Sequence, residues 1–275
     1  MNRRTFLKAA IAAAVPAPVA AASYGLFEAN WLKVERPTLC LPNLPRAFDG
    51  LRVAFLTDIH HGPFVSIDYV TSVVRTTLSL NPDLIVLGGD YSYKHAKYIR
   101  PCFDALSGLK APLGVYGVLG NHDYWHGLSE TREGMQAAGI VELTNSGVWL
   151  ERGTSRFRLG GVDDLWAGKP DAAPALEYAT TSDACLLISH NPDFAENLRD
   201  RRVGLILSGH THGGQAVLPV VGAPFIPSRY GSKYLRGRVE APATTVYVSR
   251  GLGTVAGPMR YGARPELTLV TLKSA

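Results

Sequence analysis

Apolar residues in this chain gather in short runs that end on polar side chains. The run LRVAFLTDIH, from Leu51, is apolar and β-branched enough for a buried strand and stops at polar residues. Ile67, Val70, Val73, Val74 and Leu78 then recur at helical spacing, with Ser66 placed as N-cap and Asn81-Pro82 as the stop. DLIVLGGD predicts a second strand, Phe103 to Leu109 a helix, and LGVYGVLGNHD a third strand. This β-α-β-α-β order favours a sheet with helices packed on it.

The middle of the chain changes character. VELTNSGVWLERG and FRLGGVDD, broken by glycines, predict short strands and hairpins. CLLISH begins another strand-to-helix step, with Pro192 in the helix's first turn and Phe194 and Leu198 on its inner face. VGLILSGHTH follows, and TTVYVSRGLG and ELTLVTLK close the chain as strands. The order fits an α/β fold in which two sheets pack together with helices outside them.

Chemistry-bearing residues fall where the strands stop. Asp58 and His60 end the first strand, Asp90 the second, and Asn121 and His122 the third; His190 ends the next, and His210 with His212 the one after. Ligands of open α/β sheets gather at such carboxyl ends. In an extended segment residues i and i+2 share a face, so His210 and His212 are expected to point at one object. A metal ion is a frequent shared object, and a histidine pair hydrogen-bonded at a strand end is the plainer alternative. Carboxylate, amide and imidazole ligands without thiolate suit divalent Mn, Fe or Zn. These groups exceed the four of one tetrahedral zinc, which favours two ions and the phosphoester chemistry that ion pairs support.

Taken in order, TDIH, GGD, LGNHD, SH and SGHTHGG resemble the signature of the calcineurin-like metallophosphoesterases, from about Leu51 to near the C-terminus. The resemblance implies a four-layer α/β/β/α sandwich of two mixed sheets flanked by helices. It implies a first ion held by Asp58, His60 and His212, a second held by Asn121, His190 and His210, and Asp90 bridging both beside a nucleophilic hydroxide. His122 would face the phosphate, stabilising charge or protonating the leaving oxygen, and Asp123 would orient its ring. GGDYSYKHAK lacks the Asp-Arg-Gly continuation of the family's protein phosphatases, which speaks against that activity. The N-terminal segment and the Gly-Gly-Gln and RGLG stretches resemble exported bacterial phosphodiesterases of the superfamily, some relatives of which act on lipid-linked substrates. A phosphodiester is therefore the expected substrate, with a lipid-linked or nucleotide-lipid ester as its suggested form. A phosphomonoesterase on the same site and a non-catalytic metal- or partner-binding protein are the alternatives. His61, His95 and His126 are expected to be structural or on the surface.

Composition adds bounds. The chain has 275 residues, 46% hydrophobic and 19% charged, which is globular composition, and without internal repeats one domain over residues 51–275 is expected after a lead-in over 23–50. Residues 1–22 differ: a basic start, an Ala-rich apolar run and small residues near Ala22 have the form of an export signal. Arg3 and Arg4 before Phe6-Leu7-Lys8 resemble the twin-arginine type, which makes the twin-arginine export machinery an expected partner and the periplasm or cell surface the expected location. Loss of that segment removes three cationic residues from a formal charge of +5, so specific nucleic-acid binding is not expected. Residues 224–238 interleave Phe225, Tyr230 and Tyr234 with Arg229, Lys233, Arg236 and Arg238, a cluster suited to a membrane surface or substrate phosphate, though more often a solvated loop. Cys40, Cys102 and Cys185 form no C-x-x-C pair, and no obligatory disulfide is expected. GLGTVA at Gly251 fits a dinucleotide pattern only formally, since no helix follows.

Overall fold

A computed structural model describes residue 2 and residues 16–274. Arg3, Arg4, Phe6, Leu7 and Lys8 lie outside the described residues. The chain begins with helix α1 (Pro16–Glu28) and strands β1 (Lys33–Glu35) and β2 (Thr38–Leu41). Then come β3 (Arg52–Leu56), α2 (Ile67–Ser79), β4 (Leu84–Leu87), α3 (Ile99–Leu106), β5 (Val115–Gly117), α4 (Asn121–Ala137) and β6 (Val141–Glu142). The second half holds β7 (Ser146–Arg152), β8 (Ser155–Gly161), α5 (Ala172–Ala175), β9 (Cys185–Ile188), α6 (Phe194–Asn197) and β10 (Leu205–Ser208). It ends with β11 (Gly237–Glu240), β12 (Thr245–Val248) and β13 (Glu266–Ser274).

These strands form two mixed sheets, as the sandwich reading expects. One runs β1-β13-β3-β4-β5-β6, with β2 also on β13, and the other runs β11-β12-β10-β9-β8-β7. Alternation along each strand sorts side chains into three cores. Val53 and Phe55 of β3 meet Leu186, Ile188, Leu205 and Leu207 of the opposite sheet, and Phe48 packs edge-on against Phe157 at 4.9 Å. Ala54 and Leu56 face the other way, onto Val70, Val73 and Val74 of α2 and Phe103 and Leu106 of α3. Ser66 caps α2 as expected, its side chain accepting from Tyr69 N at 3.2 Å.

Beyond the second sheet the helical layer is thin. The helix expected after Pro192 is the single turn α6, although Phe194 and Leu198 are buried with Cys185 and Leu187 as their spacing suggested. Leu198 leaves the turn with extended backbone, so the helix stops there. The helix expected at Phe103 to Leu109 begins earlier, at Ile99, with Pro101 in its first turn. The lead-in belongs to the first sheet, because β1 and β2 both pair with β13. Helix α1 spans the expected cleavage point near Ala22. All three thiols are free, Cys102 and Cys185 being buried, and no helix among the described residues is long and apolar enough to cross a membrane.

Helix α4 packs so closely on α3 that Gly134 is a fixed point. A Cβ there would collide with the Phe103 ring, which is itself buried. Replacing a mid-helix glycine by alanine ordinarily gains up to about 1 kcal/mol, whereas forcing a methyl into a packed core costs about 1–3 kcal/mol. Gly134→Ala is therefore expected to lower stability by about 1–2 kcal/mol in urea unfolding, and a gain would show that α3 yields to it.

Candidate metal centre

The candidate residues sit just past the carboxyl ends of parallel strands from both sheets. β3, β4 and β5 run parallel in one sheet, and β9 and β10 in the other. Asp58 and His60 follow β3, Asp90 follows β4, Asn121 opens α4 after β5, His190 follows β9, and His210 with His212 follow β10. All seven are buried.

Local backbone aims them. Asp58, His60, Asp90, His210 and His212 have φ of 53°, 49°, 58°, 69° and 53°, in the left-handed region that non-glycine residues adopt rarely. Each such residue costs about 1–3 kcal/mol and persists only where its surroundings fix it. Here the carboxylates do the fixing. His210 N donates to both Asp58 oxygens at 3.0 Å, Thr57 Oγ1 donates to Asp58 at 2.9 Å, and His122 N donates to Asp90 Oδ1 at 2.8 Å. Gly120 has no room for a side chain, since a Cβ would meet the Asp90 carboxylate.

His210 and His212 do not share one target. Extended geometry is absent here, because β10 has ended and both residues are left-handed, so the two rings diverge. His212 joins Asp58 and His60, and His210 joins Asp90 and His190, each trio able to hold a metal ion. In the first, His60 Nε2 lies 3.1 Å from His212 Nε2, and His212 Nε2 lies 3.3 Å from Asp58 Oδ1. In the second, His210 Nδ1 lies 3.2 Å from His190 Nε2. Asp90 Oδ2 stands between them, 3.4 Å from His60 Nε2 and 3.2 Å from His190 Nε2. A third group, His60, Asp90 and His122, overlaps both trios.

The donor set fits cations. Two facing Nε2 atoms cannot both be satisfied by one shared proton if each must also serve a carboxylate, while Asn121 Oδ1 is buried with no hydrogen-bond partner. His190 Nδ1 is 2.7 Å from Gly88 O, a contact that puts a proton on Nδ1 and turns Nε2 inward, where a cation would take the place of its proton. Burial alone would raise the Asp58 and Asp90 carboxyls, yet the surrounding imidazoles hold both well below the usual range, His212 chiefly for Asp58 and His190 for Asp90. Burial opposes the charged form of His190, and the Asp90 carboxylate overrides it and raises the ring. Burial, then His190, pushes His210 down to about 3.

His122 stands at the edge of this group. Its ring meets the His60 ring edge-on at 4.8 Å, and burial lowers it to about 4. Its expected partner is elsewhere: the Asp123 oxygens accept from Asp90 N and Gly120 N, both at 2.8 Å, and from Tyr91 N at 3.0 Å. Asp123 thus knots the Asp90 and Asn121 loops together and does not orient the His122 ring. Burial and then the Asp90 charge push its carboxyl up to about 7, against the pull of those three N–H donors. The ring partner is His126, whose Nε2 is 3.1 Å from His122 Nδ1 one helical turn on. The spacing of four on a helix was the signal available for it. His61 is structural, its Nδ1 2.8 Å from Val65 O; the His95 ring lies tilted to that of Tyr98, 6.3 Å away.

Three further neighbours had no sequence signal. Arg260 is fully buried and donates to the carbonyls of Ala263, Arg250 and His212, the last at 3.3 Å. Asp164 accepts from Trp166 N and Ala167 N, and the Trp166 ring meets His210 edge-on at 4.3 Å. In the basic loop most charges are paired inside the protein: Lys233 with Glu196, Arg238 with Glu240 at 2.8 Å, and Arg236 with Gly262 O at 2.9 Å. The GLGTVA segment is a loop against the Asp58 turn, Gly253 N donating to Asp58 O.

Comparison with known proteins agrees with this geometry. Residues 51–214 match the family model described as calcineurin-like phosphoesterase. The chain is 34% identical over 285 residues to the uncharacterized metallophosphoesterase YkuE of Bacillus subtilis (strain 168), across 100% of this chain and 98% of that protein. It is 33% identical over 277 residues to phosphodiesterase YaeI of Escherichia coli (strain K12), across 99% of each. Among solved structures, Thermus thermophilus sulfate thiohydrolase SoxB in complex with glycerol is similar in fold, with a TM-score of 0.50 and 13% identity over 84% of this chain and 57% of that one. A phosphoesterase signature laid along strand ends that fold into one buried ligand cluster makes this chain a member of the calcineurin-like phosphoesterase family, and so a hydrolase.

Proposed function

We propose that the protein is a two-metal phosphodiesterase acting outside the cytoplasm. The observation that carries the reading is the Asp90 carboxylate, whose Oδ2 stands 3.4 Å from one trio and 3.2 Å from the other. Asp58, His60 and His212 would hold one divalent ion, Asn121, His190 and His210 the other, and Asp90 both. Bound ions of the Mn, Fe or Zn class supply Lewis acidity and hydroxide near neutral pH. The diester preference is supported by the relative named a phosphodiesterase.

The protein's own part is to hold the phosphate and deliver a proton. His126 also hydrogen-bonds to the Trp125 backbone, and its Nε2 lies 3.1 Å from His122 Nδ1, a contact that leaves the other ring nitrogen of His122 free of it. His122 then presents Nε2 to the substrate. Acting from its protonated form, which the phosphodiester anion favours, His122 gives its Nε2 proton to the leaving oxygen as the bond to phosphorus breaks; the alcohol departs, an oxygen from water remains on phosphorus, and the proton that water releases restores the ring. A protein that only bound metal would have no use for a second imidazole ordering a non-ligand ring. Metal analysis combined with hydrolysis of bis(p-nitrophenyl) phosphate and p-nitrophenyl phosphate under Mn, Fe and Zn tests the reading. Full metal content with neither ester cleaved would favour the binder, and a faster monoester would favour the monoesterase.

Asp90→Ala is expected to lose metal, measured by plasma mass spectrometry, together with turnover; retention of both ions would remove its bridging role. His122→Ala should keep its metal and lose about 10² in kcat. His126→Leu should slow alkyl leaving groups more than p-nitrophenolate, which departs with little need of a proton, and His126→Gln should restore part of the loss; equal effects on both leaving groups would reduce His126 to packing. Export is tested by replacing Arg3 and Arg4 with lysine, which should leave precursor in the cytoplasm, whereas unchanged export would exclude the twin-arginine route.

A further inference from the structure

Beside the His210 end of the metal centre lies an open groove of about 560 Å³, lined by Leu165, Trp166, Phe225, Pro227, Ser228 and Arg229. Both of its walls are tied to the strand ends that carry the ligands. Trp166 is fixed by its ring contact with His210 and by its N–H on the buried Asp164 carboxylate at 2.8 Å. The far wall hangs on Asp193, three residues after His190 and 2% exposed, which accepts from Ser228 Oγ at 2.6 Å and Arg229 N at 2.7 Å. Such anchoring holds two large apolar side chains in water: Trp166 is 44% exposed and Phe225 74%. Contiguous exposed apolar surface beside a polar site marks a binding surface.

We infer that this groove binds an alkyl chain on the ester group that phosphorus retains. The inference rests on the phosphodiesterase reading. In-line displacement puts the leaving group opposite the nucleophile, near the acid, and His122 lies at the His60 side of the centre. The second ester substituent must leave the phosphate sideways, and on the His210 side the ring that meets His210, Trp166, is a wall of the groove. Its chemistry selects a chain over a nucleobase. A base brings several polar edges that need partners, while Leu165, Trp166, Phe225 and Pro227 present mostly carbon surface, the Ser228 hydroxyl is committed to Asp193, and only the Arg229 guanidinium and the Trp166 indole N–H remain as donors. Among the described residues the Arg229 side chain makes no hydrogen bond or ion pair, so its guanidinium remains at the rim for the phosphodiester anion.

A series of alkyl p-nitrophenyl phosphates, from methyl to octyl, keeps the leaving group constant and lengthens only the retained group. Full burial of a methylene is worth about fourfold, so half-burial in this open groove should raise kcat/KM about twofold per methylene. Trp166→Ala and Phe225→Ser should flatten that slope; Phe225 is exposed enough for its variant to fold. Calorimetric titration of methyl- to octylphosphonate into the metal-loaded protein should show the same gain in affinity without turnover. A flat series in the unmodified protein, or a slope that survives both substitutions, would overturn the groove assignment. Thymidine 5′-p-nitrophenyl phosphate cleaved faster than the octyl ester would replace the chain with a nucleoside. If no ester is cleaved while the phosphonate slope stands, the phosphodiesterase reading fails and the groove does not.

Discussion

Two carboxylates, Asp58 and Asp90, are buried side by side at the meeting of two sheets, and the structure around them is a response to that charge. Carboxylates taken out of water cost several kcal/mol each unless paired and hydrogen-bonded. Four imidazoles surround them, and backbone N–H groups of His210 and His122 donate to them. Those N–H groups reach the carboxylates only because the chain turns sharply after each strand, which places five candidate ligands in left-handed backbone. Strain, burial and charge are thus one arrangement: the carboxylates hold the turns, the turns aim the imidazoles, and cations complete the neutralisation.

The fold was legible where hydrophobic alternation met polar strand ends. Val53 and Phe55 on one face and Ala54 and Leu56 on the other are what a strand buried on both sides requires, and Ser66 reads as a cap in sequence and acts as one. The ordered ligand motifs were legible for the same reason, since each is pinned to the end of a recognisable strand. What failed was local geometry. An H-x-H pair reads as one face of a strand, yet His210 and His212 serve different trios because their backbones are left-handed, a property no side-chain pattern discloses. The Asn-His-Asp triplet suggests an Asp-oriented ring, yet Asp123 is taken up by three backbone donors and the ring turns to His126. Arg260 was invisible, because its partners are carbonyls spread over separate loops.

Arg260 also joins two parts of the chain that the sequence separated. A buried guanidinium needs several acceptors, and the carbonyls of Ala263, Gly253, Arg250 and His212 close around it. The outside of that loop is then held by α1: Arg260 N donates to Gly25 O at 3.1 Å, and Ala263 N to Glu28 Oε1 at 2.9 Å. Through His212 O the same arginine reaches the metal centre. The helix after the expected signal therefore buttresses a ligand loop. Cleavage near Ala22 would remove the acceptor of Tyr261 Oη at Ala21 and leave the Gly25 and Glu28 contacts in place.

The same logic of anchoring separates the two sides of the centre. At the His60 side, His122 is ordered by a hydrogen bond to another imidazole, so its role turns on where a proton sits. At the His210 side, Trp166 and the Asp193-anchored loop present carbon surface, so what they distinguish is shape and apolarity. A phosphodiester needs both, because its two ester groups have different fates: one must be protonated and released, the other only held. A monoester has no second group to hold. On the phosphodiesterase reading, an apolar groove fixed to the strand ends that carry the candidate ligands is where the group that is only held would lie.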